Sequence, residues 1–580
     1  MTDAKRTQTI PRFELEHLLA VARGEREPDL LIKNVELLDL VNGGATKTHV
    51  AIAGKYIAGH GLDYEGTNVR DGEGLTIVPG FIDGHLHIES SMMHPFEFER
   101  LTLPLGTTTA ICDPHEITNV MGEEGFSWFL RCSEIMHQHL FVQVSSCIPA
   151  LPGFETNGGG FDLDQMLKFK GHSNVIGLAE MMNFPGVIHG NKEVLDKVEA
   201  FSDYGVDGHC PLVRGKDLNA YIAAGIKNCH ETVTQEEALE KLQKGMSLII
   251  REGSVAKNLN ELSQVVTDFN SPQCFLCTDD RNPFEIFHEG HINYMVKKLI
   301  NETKLEPHVA YRLASFSAAK HFGLKKLGLI APGYRADFIL LNDVNNVGIE
   351  DVYIAGQKVS ELNLEGEIQQ KLDMSQPPKR NTMQREEVKA SELNFDLKAG
   401  EYNVIKIVPE EIITEHLKIQ FDGSKFAEDD VLKMAVIERY GHQLPPALGL
   451  VKGLGLTKGA IASSVAHDSH NIIVIGANEE EMAFAANALI KTGGGFTVVE
   501  GGKVLAQVDL PIAGLISLES AETIAEGIKK LKTAFRTLDV VLDEPFLQMA
   551  FLALPVIPTL KITDKGLVDV TKFEFTSLQV

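Results

Sequence analysis

The sequence predicts an α/β chain built on a (β/α)8 TIM-like barrel, with a composite small β-sandwich and a C-terminal α/β domain. Three observations predict it. Short apolar runs recur eight times between residues 74 and 281, separated by helix-length segments, which is the rhythm of parallel βα units. Histidines and acids fall repeatedly at the ends of those runs, where a barrel of this kind gathers its functional groups. Stretches of similar β texture bracket the region, "DLLIKNVELLDL" and "THVAIAGKYIAG" before it and "GYRADFILLNDVNNVGIEDVYIAGQKV" after it.

Taken in order, residues 13–27 suggest a short helix, and residues 1–78 supply that helix and the first part of the sandwich. The barrel is assigned to residues 79–329. Its strands are read in "GLTIVPGFIDGHLH", "GTTTAICDPHE", "LFVQVSSCIPA", "NVIGLAEMMN", "GVDGHCP", "GIKNCHET", "MSLIIREGS" and "CFLCTDDR". Residues 330–365 complete the sandwich, because they share the alternation and turn chemistry of the first β stretch. Residues 366–400 are polar and read as a linker with some helix. Residues 401–580 mix strands and helices and form a domain of ordinary size.

Composition narrows the partners. The chain has 580 residues, 44% hydrophobic and 23% charged, with 54 Lys+Arg against 80 Asp+Glu and a net charge of −26. Such acidity repels phosphate backbones and anionic lipid, so nucleic acid and membrane surfaces are excluded as expected partners and a small molecule is favoured. The N-terminal stretch has no leader-like apolar region. The most apolar late run, "MAFLALPVIPTL", is short and broken by two prolines. Seven scattered cysteines argue for reduced thiols in the cytoplasm. Cys274 and Cys277 have zinc-like spacing, but no second pair answers them and buried strand thiols are the better reading. A homodimer or larger homo-oligomer is expected.

Residues i and i+2 of a strand point the same way, so His85 and His87 project together at the end of the first barrel strand. Glu180, His209, His230, Asp279 and Asp280 fall at the ends of strands four, five, six and eight. A set of imidazoles and carboxylates converging on one mouth suits zinc, manganese or ferrous iron. There are ligands enough for two divalent ions with Glu180 as the bridge. Taken singly, each could be a hydrogen-bonded rim residue.

These residues carry a resemblance. An HxH on strand one, histidines on strands five and six and Asp on strand eight resemble the amidohydrolase superfamily, in which many two-metal members bridge their ions with a carbamylated lysine on strand four; Glu180 takes that place here. "PGFIDGHLHIESSMM", "DPHEITNV", "GLAEMMNFPGV", "GHCPLV" and "CTDDR" are similar to the bacterial adenine deaminase family, as is the C-terminal domain. The resemblance spans nearly the whole chain. It implies a metal-dependent hydrolase of carbon–nitrogen bonds in purine salvage, converting free adenine to hypoxanthine and ammonia with a metal-activated hydroxide. It implies His85, His87, Glu180, His209, His230 and Asp279 as ligands of two divalent ions, manganese or iron, with zinc as an alternative. Asp279 would take the water proton and deliver it to the leaving amino group. Glu116 would face N1 of the ring as a protonated carboxyl, with a solvated loop acid as the alternative.

Around this set, Asp113 and His115, in the same strand-two loop, are expected to orient Glu116 and, with Glu89 and Ser90, are candidate substrate-binding residues. Glu89 and Ser90 either face the site or cap the next helix. Asp280 is expected to point away on its strand and pair with Arg281, and His94 to start a helix. Arg214 either meets the purine or forms a surface salt bridge. His467 and His470 either reach the barrel mouth or a neighbouring subunit, or belong to a polar turn. The competing functions are a dinuclear amidohydrolase acting on a cyclic amide or N-acyl substrate, and a non-catalytic scaffold of the same fold. The scaffold predicts lost ligands, and none is lost in the sequence.

Overall fold

The structure, a computed structural model, describes residues 9–254, 256–379, 381–409 and 411–580. The first eight residues of the N-terminal stretch lie outside the described residues. Helix Arg12–Ala22 opens the described chain and buries Leu18 and Val21.

The two flanking β stretches share one sheet. Strands β1 (Leu30–Leu38), β2 (Ala45–Ala53), β3 (Tyr56–His60), β4 (Val69–Asp71) and β5 (Thr76–Pro79) come from the N-terminal side. Strands β14 (Phe338–Asp343), β15 (Gly348–Ile354) and β16 (Gln357–Lys358) come from beyond residue 330. The join is β5 against β14, antiparallel, with Pro79 opposite Phe338 and Thr76 opposite Leu341.

Between them lie eight strands: β6 (Phe81–Leu86), β7 (Thr107–Cys112), β8 (His139–Val144), β9 (Val175–Met181), β10 (Val206–Gly208), β11 (Asn228–Cys229), β12 (Ser247–Arg251) and β13 (Cys274–Cys277). The run read as one strand, "GLTIVPGFIDGHLH", is two. It breaks at Gly80, where a side chain would meet Thr108 Oγ1 at 2.2 Å, so β5 stays in the sandwich and β6 begins the next layer. Ladders join β6 through β10 into one parallel sheet and β11 through β13 into another. A parallel bridge between Leu86 and Asp279 links β6 to β13. Across the other seam no ladder forms among the described residues. There the Gly208 amide donates to Asn228 Oδ1 at 2.8 Å, because β10 and β11 have three and two residues and a side-chain amide meets the backbone group that a ladder would pair. The eight strands thus fall into two sheets, of five and three strands, joined on one side by the Leu86–Asp279 bridge.

Period-two alternation sets the interior. Ile111, Phe141, Ile176, Ile249, Phe275 and Cys277 pack in one buried cluster with Leu324 and Leu327. Farther along the same strand faces come Asp113 after Ile111, Glu180 after Ile176, Arg251 after Ile249 and Asp279 after Cys277. An apolar floor thus lies beneath a polar mouth.

The stretch 366–400 contains the end of helix Leu364–Ser375 and the 3-10 turn Ala390–Leu393. The C-terminal region forms an eight-stranded sheet. Its strands are β17 (Gly400–Ile407), β18 (Thr414–Phe421), β19 (Val431–Ile437), β20 (Ala447–Lys452), β21 (Ala460–Ser463), β22 (Ile472–Gly476), β23 (Gly495–Glu500) and β24 (Lys503–Asp509), in the order β18-β17-β20-β19-β22-β21-β23-β24. Helices Glu479–Thr492 and Ala521–Arg536 pack on it. Among the described residues no helix is long and apolar enough to cross a membrane. All seven cysteines are buried and free, Cys274 and Cys277 among them on β13.

The seam between β6 and β13 depends on Gly84. A Cβ there would lie 2.5 Å from Phe275 Cδ2 and 2.9 Å from the Leu276 carbonyl oxygen. Gly84→Ala is expected to destabilise the protein by about 1–3 kcal/mol, the usual cost of overpacking a filled interior. A thermal melt at the wild-type temperature would refute this account of the seam.

Candidate active site

Six side chains from five strands meet over the apolar floor. His87 Nε2 lies 3.3 Å from Glu180 Oε1 and 3.5 Å from Asp279 Oδ1. His209 Nδ1 and His230 Nε2 lie 2.6 Å and 3.1 Å from Glu180 Oε2. His85 Nε2 is 3.7 Å from Asp279 Oδ1, and its ring stacks on that of His230 at 4.1 Å. Glu180 therefore stands between the His85–His87 pair and the His209–His230 pair. The sets His85–His87–Glu180, Glu180–His209–His230 and His85–His230–Asp279 each bring ligand atoms within 4.8 Å of one another.

The surrounding hydrogen bonds suit a cation. His87 Nδ1 donates to the Asp113 carbonyl at 2.9 Å, which leaves the Nε2 lone pair facing the cluster, as in metal-binding histidines. Both ring nitrogens of His85 are buried without a hydrogen-bond partner, a costly state that a bound cation relieves. Burial opposes ionisation of Glu180, but hydrogen bonds from His209, His230 and His87 overcome it and hold its carboxyl well below the usual range. Burial also opposes the charge on His230, yet the Glu180 contact pushes its pKa up to about 9. Burial, with help from His230, holds His85 well below its ordinary value.

Asp279 follows the end of β13 with φ 53, a left-handed conformation uncommon outside glycine. Strand alternation stops there, and this corrects the expected direction of Asp280. Asp280 lines the pocket and accepts from Ser90 Oγ. Arg281 pairs with Glu289 at 2.6 Å instead. Burial, then the neighbouring Asp279, raises the Asp280 pKa to about 6.

His115 and Glu116 line the pocket, whereas Asp113, Glu89 and Ser90 stand behind its wall. Asp113 accepts from Ser145 Oγ at 2.5 Å and lies 3.5 Å from His115 Nδ1. Glu89 lies in the 3-10 turn Ile88–Ser91, and its Oε1 accepts from the Ile117 amide at 3.1 Å, within the first turn of helix His115–Met121. This geometry gives Glu89 a capping contact with that helix. Burial, then the charge of Glu116, raises its pKa to about 8.

Two histidines of the C-terminal region meet the carboxyl of Glu116. Burial favours its neutral form, but His467 and His470 overcome that and hold it well below the usual carboxylate range. His467 Nδ1 lies 3.3 Å from Glu116 Oε1, and His470 Nε2 contacts Oε2. Although burial opposes its charge, His467 is held well above an ordinary histidine, first by Glu116. His467 reaches the mouth and His470 stands behind it, both within the same chain. His94 Nδ1 accepts from the Glu97 amide at 3.1 Å and starts helix Pro95–Thr102. Arg214 is half exposed and paired with Glu240 at 2.7 Å, the surface salt bridge.

Sequence reasoning missed three contributions. Arg251, at the end of β12, donates to Asp279 Oδ2 at 2.8 Å and grips both oxygens of Glu231. Glu231 itself lines the pocket. Ile412, Phe551, Leu554 and Ile557, from the C-terminal region, face the same cavity. Arg251 occupies a strand end like the ligand candidates, so a search for cations at those positions would have found it. Phe551, Leu554 and Ile557 lie in "MAFLALPVIPTL", whose apolar character marks burial but not the cavity it faces.

A family model described as "Amidohydrolase family" matches residues 76–359, and one described as "Adenine deaminase C-terminal domain" matches residues 411–574. An adenine deaminase of Bdellovibrio bacteriovorus is 64% identical over 579 residues, covering 99% of both chains. One of Shewanella halifaxensis is 55% identical over 579 residues, again 99% of both. One of Escherichia coli is 52% identical over 575 residues, 98% of both.

Removing one partner of a buried ion pair strands the other charge. Arg251→Met is expected to cost about 3–5 kcal/mol on that ground, and Glu231→Gln added to it to cost less than the separate effects predict. Strict additivity in a double-mutant cycle of denaturation midpoints would show that the contact carries no energy.

Proposed function

From membership in the adenine deaminase family, to which this chain belongs, we propose that it hydrolyses free adenine to hypoxanthine and ammonia at the mouth of strands β6 to β13. The observation that carries this reading is the convergence of His85, His87, His209, His230 and Asp279 around Glu180, all but His85 lining one pocket. A scaffold would have no need of so many buried charges. We read the eight parallel strands as a (β/α)8 barrel, supported by their chain order, the Leu86–Asp279 bridge and the shared apolar floor. The division into residues 1–78, 79–329, 330–365, 366–400 and 401–580 belongs to the same reading. Buried free thiols support a reducing, cytoplasmic setting.

The residues fit two divalent ions. His85, His87 and Asp279 would hold them together with His209 and His230, and Glu180 would bridge them; imidazole with carboxylate suits manganese or iron, and zinc as well. When bound, such ions supply Lewis acidity and lower the pKa of water towards about 7.

The chain's own groups divide the remaining work. Arg251 occupies Asp279 Oδ2, so Oδ1, on the side of His85 and His87, is the oxygen that takes a proton from the attacking water and returns it to the leaving nitrogen. Opposite, His467 Nδ1 lies 3.3 Å from Glu116 Oε1, and Glu116 holds it above an ordinary histidine against the effect of burial. This pair protonates the purine ring as carbon 6 is attacked, which makes a poor electrophile reactive. Ile412, Phe551, Leu554 and Ile557 cover the base and exclude bulk water, strengthening each polar contact below.

Manganese-loaded protein incubated with adenine, adenosine, cytosine and dihydropyrimidines is expected to release ammonia from adenine, followed by ultraviolet change. Absence of adenine turnover would sink the proposal. Glu180→Gln is expected to lower metal content and activity together, the latter by at least about 10- to 100-fold. Metal retained at the wild-type level would remove Glu180 from the bridging role.

A further inference from the structure

The connection between β21 and β22, Ala466 to Asn471, is built into the barrel mouth from both sides. Asp468 Oδ2 lies 3.2 Å from His115 Nε2, Ser469 Oγ donates to Glu155 Oε2, and Asn471 Nδ2 donates to the Thr156 carbonyl at 2.8 Å. From the C-terminal side, the His467 amide donates to the Ala550 carbonyl at 3.0 Å, and the Tyr440 hydroxyl donates to the Ser469 carbonyl. His470 is fully buried, with φ 53.

One hydrogen bond fixes the chemistry of the His470 ring. The Ala466 amide donates to His470 Nδ1 at 3.2 Å. An accepting Nδ1 carries no proton, so the N–H of the neutral ring sits on Nε2. Nε2 faces Glu116 Oε2. Glu116, His467 and His470 also lie close enough to hold a cation. A cation on Nε2 would require Nδ1–H, which would then face the Ala466 N–H, donor against donor. The backbone thus selects a hydrogen bond at this position. His467 and Glu116 line the pocket, while His470 stands behind them.

We propose that His470 is a positioning residue for Glu116: its tautomer, fixed by the Ala466 amide, pins Oε2 and leaves Oε1 with His467 to face the substrate. By this device the C-terminal domain completes the active site of the barrel. The inference rests on the reading that Glu116 works on the purine ring.

The test uses full-length, manganese-loaded protein and a cycle of His470→Ala, Glu116→Gln and the double variant. His470→Ala is expected to lower kcat on the order of 100-fold, as misplacement of a reacting group does, with KM for adenine and manganese content unchanged. In the Glu116→Gln background the same change is expected to cost no more than about 2-fold, the ordinary tolerance of additivity. His470→Asn keeps an amide donor and tolerates the left-handed backbone, and is expected to restore part of kcat; should His470→Ala not fold, His470→Asn carries the same cycle. Equal losses in both backgrounds would overturn the proposal in favour of a structural role. So would additional manganese bound by the wild type and lost with His470→Ala. Wild-type kcat in Glu116→Gln would instead defeat the reading of Glu116 itself.

Discussion

A carboxylate buried at the end of a strand stays ionised only where donors or cations meet its oxygens, and Glu180 meets that condition through His87, His209 and His230. Each partner comes from a different strand. The charge is tolerated only if the strands keep their order and register, so the electrostatics of one residue and the architecture of the layer depend on each other. Asp279 repeats the pattern through Arg251 on the adjacent strand. Cations brought to this mouth would act on groups already spaced and oriented, in part by second contacts such as that of His87 with the Asp113 carbonyl.

The same constraint accounts for the C-terminal domain. Glu116 is another buried acid, but its partners, His467 and His470, come from a connection some 350 residues onward in the chain. Burying Glu116 therefore requires the second domain to be in place. The domain also supplies Ile412, Phe551, Leu554 and Ile557, which turn an open strand-end rim into a covered pocket.

Much of this was legible in the sequence because it is local. Two-residue alternation set His85 beside His87, and the recurrence of short apolar runs placed Glu180, His209, His230 and Asp279 at strand ends. The structure brings all six together. The pairing of the two outer β stretches followed from shared texture and is seen in β5 against β14. What went unread had no local period. Asp280 turns inward because Asp279 adopts a left-handed conformation, which ends the alternation that a reader of strands would extrapolate. The partners of Glu116 went unread because His467 and His470 belong to a segment far along the chain. The seam between β10 and β11 lacks a ladder because the two segments are too short to carry one.

By itself the sequence determined the strand rhythm, the side chains at each strand end and the resemblance to a family of metal-dependent hydrolases. All of these follow from the order of neighbouring residues. Only the tertiary structure decided which oxygen of Asp279 meets Arg251, which nitrogen of His470 accepts from the backbone, where the C-terminal region meets the strand ends and what roofs the pocket. The physical reason is one of range. Strand period and turn chemistry act over a few residues, whereas hydrogen-bond partners, burial and charge coupling act between groups that meet only when distant segments pack.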